Sequence, residues 1–199
     1  GWSEHCIATN PSDMCVALAA LDTVVEIEGP DGTREVPLAD FHLLPGDTPD
    51  RDTVLKPGEI VTALRVPASA TAFSAHSRYL KLRERTSFAF ALVSAAATLE
   101  MDGEVIRNAR LALGGVAAKP WRVRSVETLL AGAKPTRTVF EAAAAAALAD
   151  ATPSGENAYK IDLAKRVITR AFLMAAAGTP DRLPALPASP FATGVAAHA

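Results

Sequence analysis

At 199 residues with 49% apolar side chains, the chain is long enough to bury the core of one or two domains. Its net charge of -2 and pI near 6.1, with lysines and arginines scattered, leave no electrostatic footprint for nucleic acid. No apolar run reaches the length of a membrane span, and the first residues lack the basic-then-apolar pattern of a signal peptide. The two cysteines, Cys6 and Cys15, fit a reducing compartment better than a disulfide framework.

The first stretch, His5-Cys6-Ile7-Ala8-Thr9-Asn10-Pro11-Ser12-Asp13-Met14, reads as a turn feeding a helix. Asn10 or Ser12 supplies the cap, Pro11 and Asp13 suit a first turn, and an apolar run follows from Met14 to Leu21. Such an elbow offers free backbone N–H groups and a carboxylate beside the positive end of a helix. It is a place to hold a polyhydroxyl or phosphate group. Next, Val24–Glu28 and Thr33–Leu38 flank Gly29-Pro30-Asp31-Gly32, a hairpin signature. The loop Phe41–Pro49 mixes turn formers with large apolar groups, as packed lids and binding loops do. Lys56-Pro57-Gly58-Glu59 makes a further turn, Ile60–Val66 a strand, and Ala68–Ala72 a small-residue linker.

A second unit opens with the strand Ser77–Arg85, where Tyr79, Lys81, Arg83 and Arg85 share one face and Leu80 and Leu82 the other. Phe88–Met101 pairs with Glu104–Leu113 across Asp102-Gly103, completing three antiparallel strands. Three helices follow, over Trp121–Ala131, Thr138–Asp150 and Asn157–Ala177, the last stopped by Gly178 and Pro180. The expected class is α+β, with units at residues 1–67 and 73–178 and a Pro/Ala-rich tail over 179–199.

Residue types alone keep the chemistry open. Asp13 reads by default as an ordinary first-turn residue, and Lys81 as part of a solvated strand face. Cys15 lies in an apolar helical run and reads as a structural thiol. His5, His42 and His76 have neither metal-ligand spacing nor an obvious carboxylate partner, and adjacent His5 and Cys6 make no protease pattern. Gly114-Gly115 follows a strand without the helix-opening fingerprint of a dinucleotide site, which favours a bulge for close packing. A hydrolase built on Ser12, Asp13 and a histidine rests on residue types only. No catalytic nucleophile or triad is evident.

The order of these pieces carries a resemblance. The opening elbow, the hairpin, the Phe41–Pro49 loop, Pro57-Gly58-Glu59-Ile60-Val61, Tyr79-Leu80-Lys81 before an alanine-rich strand, and Leu113-Gly114-Gly115-Val116-Ala117 before Lys119-Pro120-Trp121-Arg122 stand in family order from residue 5 to about 178. The chain resembles the FAD-binding (medium) subunit of the molybdenum hydroxylases, the xanthine dehydrogenase and aldehyde oxidoreductase family. It looks closest to the aldehyde-oxidising branch whose flavin subunit also carries a four-iron cluster. The resemblance implies the end of a PCMH-type FAD-binding domain, an antiparallel sheet with helices. A three-stranded antiparallel sheet packed on a three-helix bundle would follow. The family's N-terminal diphosphate-binding part is not among these residues.

The implied function is electron relay through FAD, from iron–sulfur clusters to an external acceptor, with the flavin doing the redox chemistry. The implied partners are a large subunit with the molybdenum cofactor and a small subunit with 2Fe-2S clusters. The implied compartment is the cytoplasm, or the periplasm through a partner's export signal. Carried over by position, Ile7, Ala8, Thr9 and Asn10 approach the flavin, and Asp13 accepts hydrogen bonds near the ribityl chain. Leu43 and Leu44 flank the ring, Val61 packs on it, and Lys81 reaches the isoalloxazine. Asn10 stands where close relatives often carry histidine. Cys6 corresponds to the last ligand of a 4Fe-4S cluster whose other thiolates lie upstream. The competing expectation is a scaffold or interaction module that binds no cofactor alone.

Overall fold

In the computed structural model, which describes residues 1–181, Ser12 caps the first helix, α1 (Asp13–Ala20), its Oγ accepting the Cys15 amide at 3.2 Å. Asp13 places a carboxylate in the first turn, where the helix dipole favours it. The helix stops where Asp22 adopts a left-handed conformation (φ 53°), and the Thr23 amide turns back to donate to the Leu18 carbonyl at 3.1 Å.

Strands β1 (Val24–Gly29) and β2 (Gly32–Pro37) form the expected hairpin. Strand β3 (Ile60–Arg65) pairs with the other edge of β1, so the antiparallel order is β2-β1-β3. Val25 and Ile27 point inward onto Val16, Ala19 and Ala20 of α1, joined by Leu38 and Phe41 of the short helix α2 (Leu38–Phe41). All of β3 is exposed. The turn before it is pinned by Glu59, which accepts from Arg34 Nε and Nη2 at 2.8 and 2.7 Å and from the Lys56 amide at 2.7 Å.

A segment of 3-10 turns over Ala68–His76 leads into the second sheet, β4 (Ser77–Leu82), β5 (Val93–Asp102), β6 (Val105–Gly114) and β7 (Trp121–Arg122), antiparallel throughout in that order. Both faces of this sheet are covered. Val93, Ala95, Ala97, Leu99, Leu111 and Leu113 face helices α3 (Ser125–Leu130), α4 (Arg137–Ala147) and α5 (Tyr159–Ala176), with Phe140 and Phe172 stacked 5.2 Å apart at the centre. Ala96 and Ala112, paired across β5 and β6, face the other way and join the cluster under α1.

Several expectations need correcting. The second sheet has four strands, because Trp121–Arg122 pairs with Leu113 and Ala112 instead of opening a helix. Without it the β6 edge beside the core would lose partners such as the Val123 amide, which donates to Leu111 at 2.9 Å. The helix then begins only at Ser125. Strand β5 starts at Val93, because Phe88 turns into the left-handed region (φ 48°) and both Phe88 and Phe90 stand in solvent. Ala68–Ala72 belongs to a segment of 3-10 turns that buries Phe73 under the Arg110 guanidinium, 4.4 Å from the ring centroid. Residues 182–199 of the expected tail lie outside the described residues. No helix among the described residues is long and apolar enough to cross a membrane.

Candidate functional site

The elbow before α1 is an extended segment held by few contacts. Ser3 and Cys6 exchange backbone bonds, and the Asn10 amide donates to the Ala117 carbonyl at 2.8 Å. Asn10 Oδ1 accepts the Ser12 amide at 3.1 Å. Among the described residues the amides of Ile7 and Thr9 donate to nothing, and the Ala8 amide meets only Cys6 Sγ at 3.5 Å. Free donors therefore stand along an exposed arc beside the start of a helix.

Opposite this arc runs the loop after α2. His42 bridges to Thr53, the Leu43 amide donates to Asp52 at 2.9 Å, and the Val54 amide to Phe41 at 3.0 Å. Between the two segments lies a cleft of roughly 420 Å³. Cys6, Ala8, Thr9 and Asn10 form one wall, with Leu43 and His42 on the other. His42 Nδ1 is buried with no partner. Burial, against a backbone contact with Leu38 and aided by the Lys119 charge, holds the His42 imidazole below its usual pKa and hence neutral near pH 7.

A second cluster sits on the other side of the α1 start. Lys81 Nζ donates to Asp13 Oδ2 at 2.7 Å, and the Tyr79 hydroxyl donates to Asp13 Oδ1 at 2.7 Å. The register explains the meeting: Tyr79 and Lys81 lie opposite Ala96 and Ser94 on the sheet face that carries α1. Burial pushes the Asp13 carboxyl up, but the bonds from Lys81 and Tyr79 and the charges of Lys81 and Arg83 outweigh it. The carboxyl is held below its usual value. Burial, with the bond to Asp13, raises the Tyr79 hydroxyl, which stays a donor. Two engaged lone pairs leave Asp13 further acceptor capacity on its solvent side, where the side chain is 45% exposed.

The structure thus brings Cys6, Ala8, Thr9, Asn10 and Leu43 to one cleft and joins Asp13 to Lys81. Ile7 (64% exposed) and Leu44 (41%) stand free on the same two segments, and Val61 lies on β3; none of these three lines the cleft. Tyr79 and His42 were not among the expected contacts. Tyr79 was legible as Lys81's neighbour on one strand face, whereas nothing local marks the unpartnered nitrogen of His42. His5 does meet a carboxylate, Asp47, at 3.7 Å. Ser12 Oγ serves as a helix cap and Asp13 is tied to Lys81 and Tyr79, which leaves the hydrolase reading without a constellation. Gly114 packs against α1: a Cβ there would meet Val16 Cγ2 at 2.5 Å. No group of three His, Cys, Asp or Glu side chains gathers for a metal among the described residues.

Comparison with known proteins gives a consistent picture. Residues 5–69 match the FAD binding domain in molybdopterin dehydrogenase, and residues 78–175 match the CO dehydrogenase flavoprotein C-terminal domain. The chain is 44% identical over 169 residues to the aldehyde oxidoreductase FAD-binding subunit PaoB of Escherichia coli K12, covering 84% of this chain and 49% of that protein. It is 30% identical over 165 residues to the glyceraldehyde dehydrogenase medium chain of Sulfolobus acidocaldarius, covering 81% and 56%. Among solved structures, the reconstituted CO dehydrogenase of Oligotropha carboxidovorans superposes with a TM-score of 0.74 at 26% identity, over 83% of this chain and 57% of that one. Quinoline 2-oxidoreductase from Pseudomonas putida 86 gives 0.72 at 26% identity, over 85% and 57%. The chain spans about half the length of the curated relatives it matches.

Proposed function

The chain belongs to the FAD-binding medium subunits of the molybdopterin hydroxylase family, and from that membership we propose that it forms part of the electron-relaying flavoprotein of an aldehyde-oxidising complex. One observation carries the reading: Asp13 in the first turn of α1 and Lys81 of β4, 68 residues apart in sequence, meet at 2.7 Å on one side of the helix start, with the free amides of Ile7 and Thr9 on the other. FAD, when bound, supplies the redox chemistry, taking up electrons and handing them to an external acceptor.

The donor set suits such a group. Ile7 and Thr9 offer free backbone N–H groups, Ala8 and Thr9 small side chains, and the neutral His42 an imidazole on the facing wall of the cleft. Leu43, Leu44 and Val61 supply apolar surface for the ring. Lys81, kept in place by Asp13 and indirectly by Tyr79, would supply positive charge to an anionic group held there. Asp13 keeps acceptor capacity for a ribityl hydroxyl.

A 4Fe-4S cluster takes four thiolates. The described residues gather no such set, so they do not fit a cluster by themselves. Cys6 is assigned as one ligand only in company with thiolates from outside these residues. The partners in this reading are a large molybdenum-binding subunit, a small 2Fe-2S subunit and the diphosphate-binding portion of the flavin domain. The complex works in the cytoplasm, or in the periplasm if a partner carries an export signal.

The test is to purify the intact protein with its partners and measure flavin per polypeptide. Bound FAD that bleaches on adding an aldehyde is expected, and a colourless complex overturns the reading. Titrating the 199-residue chain with FAD then separates a flavin-binding half from a scaffold. Saturable fluorescence quenching removes the scaffold alternative.

A further inference from the structure

On the side of the molecule away from α1, helices α4 and α5 bound a groove of roughly 560 Å³ that the flavin reading does not use. Its rim carries Arg137 from the first turn of α4 and Lys165, Arg166 and Arg170 from α5, with Glu141 as the one carboxylate. Arg137 is 3.8 Å from Glu141, and Lys165 is 3.5 Å from Asp162 outside the groove. Among the described residues, Arg166 and Arg170 have no carboxylate within salt-bridge distance, in a chain whose net charge is -2.

Nothing in the fold's own stability calls for this arrangement. Arg166 and Arg170 are like charges one helical turn apart, which weakens a helix. Arg137 lies at a helix N-terminus, where the dipole opposes a cation. Exposed pairs such as Arg137–Glu141 return little. Thr169, buried between the cations, spends its hydroxyl on the Lys165 carbonyl, so the floor of the groove is closed rather than reaching for a small ligand. Leu173 adds an apolar edge at one end.

We propose that the α4/α5 groove is a docking surface for an acidic segment of a partner subunit, whose carboxylates pair with Arg166 and Arg170. The assignment rests on the reading that this chain works inside a complex. The cations follow the helices over more than one turn instead of converging on one point, which suits spaced carboxylates better than a single phosphate. Planar guanidinium groups pair with carboxylates through two parallel bonds, which adds register to attraction.

The test uses the intact protein purified with its partners. R166E/R170E is expected to raise the dissociation constant for at least one partner by about tenfold or more near 150 mM KCl. R166K/R170K, which keeps the charge, is expected to retain that partner. Should the double reversal lower the melting temperature, R137E on the exposed first turn of α4 provides the second variant and is expected to weaken the same partner. Unchanged partner retention in a folded reversal variant overturns the proposal. So does wild-type binding of a single-stranded oligonucleotide or inorganic pyrophosphate that R166E/R170E abolishes while partners stay bound. FAD content, read from the flavin spectrum of the same samples, reports separately on the flavin reading. A colourless complex that still loses its partner on charge reversal would sink that reading and leave the groove assignment standing.

Discussion

Gly114→Ala tests how the candidate site is held in place. The glycine lies at the end of β6, opposite Ser94, on the face that carries α1. An added Cβ would sit 2.5 Å from Val16 Cγ2 and 2.5 Å from Ser94 Oγ, whereas ordinary contact begins near 3.4 Å. The Ser94 hydroxyl can rotate, but Val16 is 1% exposed and enclosed, so α1 must retreat by about 1 Å. Overpacking of that kind costs about 1–3 kcal/mol, a fall in melting temperature of roughly 2–12 °C for a chain this size. A retreat of about 1 Å is also enough to break the 2.7 Å contact between Asp13 and Lys81. The variant should therefore lose flavin from the purified complex along with stability. Val16→Ala in the same background removes the clashing methyl, and the double variant should be more stable than the sum of the single losses. Thermal melting and the flavin absorbance ratio measure both effects. Strictly additive losses, or a G114A protein with wild-type melting, would refute the close-contact argument.

Asp22→Asn leaves the left-handed backbone to a residue that tolerates it but removes the charge facing Arg122 at 3.1 Å, Arg124 at 3.3 Å and Arg110 at 3.5 Å. Arg122 is only 4% exposed, so urea denaturation should show a loss of ~3 kcal/mol, softened by the second acceptor, Glu127. Acid should act on the Glu59 carboxyl, which the Arg34 guanidinium and the Lys56 amide hold at about 2 against its ordinary 4.5. A depressed folded-state pKa means that this stabilisation is complete above pH 4.5 and fades as pH falls towards 2. Asp13, lowered from 3.8, loses its contribution in the same direction. The stability of Glu59→Gln, measured by chemical denaturation, should vary less with pH across that window than wild type. Equal slopes would contradict the pairing.

Long periodic segments were readable from sequence alone. Helix α5 keeps Ala164, Ile168 and Phe172 on one buried stripe and stops before Gly178, and the β5–β6 hairpin forms where its turn signal stands, although the turn itself is Gly103-Glu104, one residue later than Asp102-Gly103, with Asp102 paired to Val105. Strand β7 was not readable, because two residues have no period and Pro120 looked like the start of a helix. Phe88–Leu92 misled for another reason: apolar content marks a strand only if something covers it, and Phe88 is 95% exposed. At the site, alternation put Tyr79 and Lys81 on one face without saying what that face meets. Asp13 opposite them is a property of the register between β4 and β5 and of where α1 lands, and both are tertiary. His42 behaves the same way, since its unpartnered nitrogen exists only once the loop folds over it.

The asymmetry of the second sheet explains why so short a helix can be trusted with position. An eight-residue helix has too little cooperativity to persist on its own, so α1 takes its geometry from what it packs against. On the side facing α3, α4 and α5 the sheet presents Leu99, Leu111 and Leu113 to Phe140 and Phe172, a deep apolar layer that fixes the strands. On the α1 side the same strands present Ala96, Ala112 and Gly114, which let the helix backbone come close. Alanine is a poor strand former, and its use here trades local preference for proximity. Bringing α1 close places the first-turn Asp13 within reach of a lysine rooted in β4, where a longer side chain at residue 96 or 112 would hold it off. The small residues of β5 and β6 thus act on the charge at the site through the approach of α1 that they allow.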